Sequence, residues 1–237
     1  MKLSIIVPAY NEENTVQNML SKIFSFDLIN GIEKEVVVVN DCSTDNTDQQ
    51  ILAFIAEHPQ HQIIYSQHEV NQGKGAALRT GIKSATGDYI IIQDADLELD
   101  PEEINNLLVP VVKVGADVVY GSRFAGGKNP RSILTFWHGF ANKFLTSLSN
   151  LFNNINITDI EICYKLVRAD IMKGLKLKEN RFGFEPEITA KLARIRDLKM
   201  YEVGISFFAR GNKDGKKIGW KDAIRAMYCI VKYRFFD

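Results

Sequence analysis

The sequence predicts an α/β fold, a mostly parallel, Rossmann-like sheet with helices on both faces. Three observations lead there. Strand-like and helix-like runs alternate through the first half of the 237 residues. Several of the strand runs are apolar without a break, as strands buried on both faces are. Each of them stops abruptly in a polar loop, and in open parallel sheets the loops after the strands share one edge, where ligands bind.

Leu3 to Val7 is the first strand. It enters Pro8, Ala9, Tyr10, Asn11 and Glu12, where Asn11 is placed to cap a helix over Glu13 to Phe26 and the acids suit its first turn. Glu35 to Val39, with four successive valines, is the second strand. Asn40 to Asp45 follows it, with Ser43 or Asp45 as the cap of a helix over Thr47 to Glu57. Ile63 to Ser66 and a helix over Ala76 to Ala85 enclose the loop His68 to Lys74. Tyr89 to Ile92 then runs into Asp94, Asp96 and Glu98, while Asp100, Pro101, Glu102 and Glu103 open a helix that reaches Val114. Asp117 to Tyr120 ends in Gly121, Ser122 and Arg123. Beyond Arg123 the pattern changes to a glycine-containing loop (Phe124 to Pro130), a long amphipathic helix (Ile133 to Phe152) and irregular chain entering a strand (Ile155 to Val167). A helix (Asn180 to Ile195), a strand (Met200 to Phe208) and a final helix (Trp220 to Phe236) complete the order.

Composition narrows the class. With 46% hydrophobic residues the chain can bury one substantial core, and one domain over 1–237 is expected. Acids and bases balance at 29 each, so no overall field points to nucleic acid, although acids crowd the first half and bases the last third. Cys42, Cys163 and Cys229 are odd in number and far apart, which fits a reducing compartment better than a disulfide framework. No apolar run approaches the roughly 20 residues that span a bilayer, and Met1-Lys2 leads straight into a strand. A cytoplasmic protein is expected, with any membrane contact peripheral.

The acids after Ile92 carry the strongest chemistry. Three carboxylates spaced two apart repel one another, and they persist most easily where a divalent cation or water compensates them. Asp100 to Glu103 are accounted for by helix capping, whereas Asp94, Asp96 and Glu98 precede the cap and suit a ligand. With Ser43 or Asp45 assigned to a cap, Asp41 is left to accept hydrogen bonds from a base or ribose. Asn71, Gln72, Gly73, Lys74 and Gly75 look like a phosphate cradle without the P-loop spacing. Lys74 is either a diphosphate ligand or an exposed lysine.

Taken together, the runs Ser4 to Glu12, Val39 to Asp45, Asn71 to Gly75, Gly87 to Tyr89 and Asp94 to Asp96 resemble the family-two inverting glycosyltransferases of GT-A fold. Gly121 to Phe124, Thr158 to Lys165, Arg210 and Gly215 to Gly219 are similar to the branch of dolichyl-phosphate mannose and glucose synthases and their bacterial polyprenyl-phosphate relatives. The resemblance implies a nucleotide-sugar-binding half (1–123), an acceptor-side half (124–219) and a C-terminal helix (220–237). It implies that Pro8, Tyr10, Glu12 and Asp41 hold the nucleoside, with Asp94 and Asp96 gripping the diphosphate through a metal, beside Lys74 where that lysine reaches the nucleotide. Asp94, Asp96 and Glu98 would grip Mg²⁺ or Mn²⁺. Arg123, Arg210 and Lys217 match basic positions that meet phosphate, with an ordinary ion pair for Arg123 and a solvated basic face for Lys216, Lys217 and Lys221 as the plainer accounts.

Departures from the family pattern are Asn40, where relatives commonly have aspartate, and Cys163, where a glycine is usual. On the acceptor side Asp159 is the first carboxylate to test, with Glu185 and Glu187 behind it. A lipid phosphate is already anionic, and only a hydroxyl acceptor would need one of them as a base. The expected activity is inverting transfer of a hexose from a nucleoside diphosphate sugar, UDP-hexose ahead of GDP-mannose, to polyprenyl or dolichyl phosphate. Transfer to a hydroxyl of a polysaccharide or glycolipid, and a non-catalytic nucleotide-sugar-binding protein, are the alternatives. The aromatic stripe Phe136, Trp137, Phe140, Phe144, Leu148 and Phe152 and the basic amphipathic helix Trp220 to Phe236 each suit either core packing or a membrane surface.

Overall fold

The computed structural model describes residues 1–126, 130–133, 135–209 and 220–236. Arg210 and Lys217, both expected at the phosphates, lie outside the described residues. The first half matches the predicted alternation: β1 (Lys2–Ala9), α1 (Val16–Phe24), β2 (Glu33–Asn40), α2 (Thr47–Glu57), β3 (Ile63–Gln67), α3 (Lys74–Ser84) and β4 (Tyr89–Ile92). Then come α4 (Ile104–Val114), β5 (Val118–Ser122), α5 (Phe136–Asn153), β6 (Lys165–Arg168), α6 (Ala169–Gly174), α7 (Phe184–Leu192), β7 (Met200–Gly204) and α8 (Trp220–Phe235).

One seven-stranded sheet has the order β3-β2-β1-β4-β6-β5-β7. β1 pairs in parallel with β2 and β4, so the strand order turns at β1, the place where an open sheet leaves a crevice. Ile5, Ile6, Val7, Val36 to Val39 and Ile90 to Ile92 are fully buried, which is why these runs carry no polar alternation. Each such side chain contributes on the order of 1.5–3 kcal/mol of burial energy.

Among the described residues β6 is the one antiparallel strand, inserted between β4 and β5. Its start, rather than its end, therefore meets the carboxyl ends of β4 and β5. That reversal carries Glu161, Ile162 and Cys163 to the same edge as Asp94 and Arg123.

Two helices divide their apolar residues between the core and solvent. α5 buries Asn142, Leu145, Thr146, Ser149 and Asn153, because its inner side hydrogen-bonds the irregular chain before β6: Thr146 Oγ1 accepts the Ile160 N–H, and the Asn150 side chain bonds Ile157 at both its N–H and its carbonyl. Leu148 and Phe152 pack against the core, but Phe136 (75% exposed), Trp137 (73%), Phe140 and Phe144 face solvent. α8 docks on α5 and α7 through Ala226, Cys229, Ile230 and Tyr233, leaving Ile224, Tyr228 and Phe235 exposed. Among the described residues no helix is long and apolar enough to cross a membrane.

Candidate active site

A cleft of about 490 Å³ opens at the carboxyl ends of β1, β2, β4 and β5. Its walls include Pro8, Tyr10, Glu12, Asp41, Lys74, Asp94, Asp96, Glu98 and Arg123, so the fold gathers residues spread over more than a hundred positions of sequence.

The first two loops are stitched together. Asn11 adopts a left-handed backbone (φ 55°), donates its N–H to Ser43 Oγ and accepts the Thr44 N–H on Oδ1 at 2.8 Å. Glu12 donates its N–H to Thr47 Oγ1, and Glu13 donates to Asp45. Asn11 is thus a clamp and not the expected helix cap, and α1 begins only at Val16. Neither Ser43 nor Asp45, the two expected caps, is the N-cap of α2, which is Asn46; Asp45, one residue earlier, accepts the Thr47 N–H.

Asp41 has a structural task that sequence reasoning did not give it. Its buried carboxylate accepts the N–H groups of Gln72 (2.9 Å) and Gly73 (2.7 Å) and lies 2.7 Å from His68 Nδ1. A carboxylate only accepts, so Nδ1 carries the proton, while Nε2 meets Thr80 Oγ1 at 2.9 Å. Asp41 therefore fastens the loop before α3 while still lining the cleft.

The glycines beside Lys74 make room for protein. A Cβ on Gly73, whose φ is +95°, would stand 2.4 Å from the Asn180 carbonyl oxygen, and one on Gly75 would stand 2.3 Å from that of Glu179. Segment 179–181 lies against this turn and holds Lys74 at the first position of α3. Its ammonium is 2.8 Å from both Asp94 oxygens and 3.9 Å from Glu185 Oε1. Burial disfavours that charge, yet Asp94 and Glu185 outweigh it and raise the lysine's pKa, so it stays protonated. Glu185 Oε2 in turn pairs with the fully buried Lys165. Charge alternates from the cleft inward: Asp94, Lys74, Glu185, Lys165.

Arg123 reaches the cleft from the end of β5 with its guanidinium braced on Asp159, Nε to Oδ2 at 2.6 Å and Nη2 to Oδ1 at 2.7 Å. Burial alone would lower the arginine's pKa; the Asp159 hydrogen bonds reverse this and raise it. Asp159 is fully buried, also accepts from Asn142 of α5, and does not line the cleft. The sequence offered Asp159 as an acceptor-side carboxylate; the fold places it behind Arg123 instead of at the cleft wall. Glu187 likewise does not line the cleft: it accepts the Lys178 and Glu179 N–H groups and pairs with Lys191.

Residues 4–175 match the family model described as Glycosyl transferase family 2. The chain belongs to glycosyl transferase family 2. It is 27% identical over 241 residues to a dolichol-phosphate mannosyltransferase of Pyrococcus furiosus, covering 98% of this chain and 64% of that protein. It is 30% identical over 239 residues to a prophage bactoprenol glucosyl transferase homolog of Escherichia coli, covering all of this chain and 73% of that one. The chain thus spans about two thirds to three quarters of these relatives. Glucosyl-3-phosphoglycerate synthase of Mycobacterium tuberculosis, solved with Mn²⁺, UDP and glucosyl-3-phosphoglycerate, superimposes with a TM-score of 0.73 at 17% identity over 98% of this chain and 79% of that one. The same enzyme has been solved with Mg²⁺ and UDP. The GT-A fold expected from the motifs is the fold found.

Within this glycosyltransferase cleft stand residues that sequence reasoning passed over: Glu161, Arg181, Phe182 and Phe207, besides Cys163, known only as a departure from pattern. Burial pushes the Cys163 thiol well up, which leaves it inert as a nucleophile. Burial, with repulsion from Glu185 and Asp159, lifts the Glu161 carboxyl to about 7 against the pull of Lys165 and Arg123. No sequence periodicity marks Glu161, which sits in irregular chain.

Proposed function

We propose that the chain transfers a hexose from a nucleoside diphosphate sugar, UDP-hexose ahead of GDP-mannose, to polyprenyl phosphate, with inversion and at the cytoplasmic face of a membrane. The observation that carries the reading is the meeting of Asp94, Asp96 and Glu98 with Lys74 and Arg123 in one cleft whose far wall is Pro8, Tyr10 and Asp41. Acids at that spacing beside two cations suit a diphosphate: Lys74 and Arg123 face its oxygens, Arg123 with the planar fork that matches a phosphate.

The donor set fits Mg²⁺ or Mn²⁺, which favour hard oxygen ligands. Asp96 Oδ1 accepts the Glu98 N–H at 3.1 Å, which fixes its orientation at the strand tip. Among the described residues no three acidic, histidine or cysteine side chains are grouped closely enough to enclose an ion alone. A small divalent ion is commonly held by one or two carboxylates plus substrate phosphate oxygens. Asp96 with Asp94 or Glu98 matches that need, and a bound cation supplies charge neutralisation at the leaving diphosphate.

The acceptor reading rests on α5 and on the named relatives. Polar side chains occupy its inner face, so its rings, with Phe136 and Trp137 centroids 5.4 Å apart, are left outward as an apolar ridge. Asn142 on the same helix contacts Asp159, which positions Arg123, so the ridge is built onto the phosphate end of the cleft. An anionic lipid phosphate attacks in a single displacement and needs no general base. That agrees with Asp159 and Glu187 being committed elsewhere.

The test is transfer of radiolabelled sugar into organic solvent with polyprenyl phosphate as acceptor. Labelled lipid released by mild acid supports the reading. A water-soluble or acid-stable glycoside points to a hydroxyl acceptor, and nucleotide-sugar binding without turnover to a binding protein. Chelation and the Asp96→Asn variant should each abolish transfer; full activity in that variant would remove Asp96 from the site.

A further inference from the structure

Among the described residues, two carboxyl oxygens in the cleft have no hydrogen-bond donor. Glu185 is 5% exposed; its Oε2 is taken by Lys165, but its Oε1 has no hydrogen-bond partner, with Lys74 no nearer than 3.9 Å. Glu161 is half-buried as a residue, yet its Oε1 is shielded from solvent and also without a partner. Both residues line the cleft, from the chain entering β6 and from the start of α7. A buried acceptor left empty keeps its full desolvation penalty with nothing to offset it. Such sites persist where something that is not part of the chain supplies the donors.

The missing partner is constrained by charge. Carboxyl oxygens repel a diphosphate, which Lys74 and Arg123 already face, and an apolar chain would leave the acceptors unsatisfied. Hydroxyl groups satisfy them. We propose that Glu161, with Glu185 beside it, recognises the ring hydroxyls of the hexosyl group and thereby sets which sugar the enzyme accepts. The inference rests on the reading of the cleft as a nucleoside diphosphate sugar site and adds the part of it that senses the sugar. Moving one hydroxyl from equatorial to axial takes the donor away from a buried acceptor, a mismatch that polar sites reject far more strongly than a hydrophobic pocket rejects a missing methylene. The raised pKa of Glu161 agrees with a carboxyl that lacks compensating donors.

Glu161 is the residue to change, because removing Glu185 would strand the buried Lys165. Calorimetric titration of the full chain and of Glu161→Gln and Glu161→Leu with UDP, GDP, UDP-glucose, UDP-galactose and GDP-mannose tests the assignment. Bare diphosphates should bind all three proteins within about twofold. The preferred sugar nucleotide should weaken at least tenfold in Glu161→Leu and less in Glu161→Gln, which keeps an acceptor oxygen, and the wild-type ratio between UDP-glucose and UDP-galactose should collapse. Unchanged sugar-nucleotide affinity in Glu161→Leu overturns the proposal, as does an equal loss for UDP and UDP-sugar. Normal donor affinity with lost transfer would place Glu161 at the acceptor and also overturns it. A wild-type chain that binds none of the five sinks the nucleotide-sugar reading itself, a result distinct from any variant effect. Thermal unfolding checks each variant's fold, and if Glu161→Leu does not fold, an unchanged epimer ratio in Glu161→Gln decides against the proposal.

Discussion

Arg123 is held to Asp159 by two parallel side-chain hydrogen bonds, and its own backbone N–H adds a third contact to the same carboxylate at 3.2 Å. A carboxylate with three donors from one residue and a fourth from Asn142 has no capacity left for substrate. That geometry predicts that Asp159 serves by aiming the guanidinium. Asp159→Asn keeps the volume and removes the charge, so kcat/KM should fall roughly 10²-fold, chiefly in kcat, as phosphate loses a correctly aimed partner. Asp159→Ala strands a buried guanidinium and should destabilise the fold by about 3–5 kcal/mol. Steady-state kinetics with thermal unfolding separates the two effects; an Asp159→Asn enzyme with wild-type kcat removes the positioning role.

The contact of segment 179–181 with the Lys74 turn makes a sharper test of what the glycines are for. If they served phosphate approach alone, alanine would weaken ligand binding and leave the apoprotein untouched. The close contacts with Glu179 and Asn180 predict instead that Gly75→Ala destabilises the apoprotein. At Gly73 the positive φ adds strain on the order of 1–3 kcal/mol to that clash. Differential scanning calorimetry without nucleotide checks this, and an unchanged unfolding temperature in both variants would contradict it.

These two relationships show what the sequence made legible and what it withheld. β1, β2 and β4 were readable because strands buried on both faces leave continuous apolar runs such as Val36 to Val39. The cleft residues at their ends followed from topology, since loops after parallel strands share an edge. The reversal at β6 was not readable: nothing local marks Lys165 for burial, which its pairing with Glu185 and its hydrogen bonds to the Ile160 and Ile162 carbonyls make possible. The late start of α7 at Phe184, against an expected Asn180, has the same kind of cause, because residues 179–181 are recruited to the glycine turn. Asp41 looked free because its partners, His68 and the N–H groups of Gln72 and Gly73, come from a loop about thirty residues away. Partner choice of that range has no local signature.

The outward ring ridge on α5 leads to a membrane prediction. Trp137 and Phe140 are exposed, meet each other edge to face and both contact Phe136, so replacing them with serine removes little core packing. A Trp137→Ser/Phe140→Ser protein should keep its unfolding temperature within about 2 °C, since exposed substitutions stay within roughly 0.5 kcal/mol. Its co-sedimentation with vesicles of phosphatidylglycerol and phosphatidylethanolamine should fall several-fold, and with it transfer to polyprenyl phosphate presented in those vesicles. Undiminished sedimentation would assign the ridge to something other than lipid.

Glu161 also sets a pH dependence whose sign is fixed by its environment. Its carboxyl titrates near 7 in the fold and near the ordinary 4.5 when the chain is unfolded. Between those values the native state keeps a proton that the unfolded state has released, so this group's contribution to stability is present below about 4.5 and is lost as pH rises through 7. Glu103 and Glu202 are raised as well and add to the same slope in the parent protein, but they cancel when a Glu161 variant is compared with it. Glu161→Gln cannot ionise. Its unfolding temperature should match the parent at pH 5 and exceed it at pH 8 by about 4–8 °C, corresponding to roughly 2 kcal/mol for a chain of this size. Because Gln keeps the side chain's shape, a gain equal at both pH values would show that packing, and not the buried charge, is what the glutamate costs.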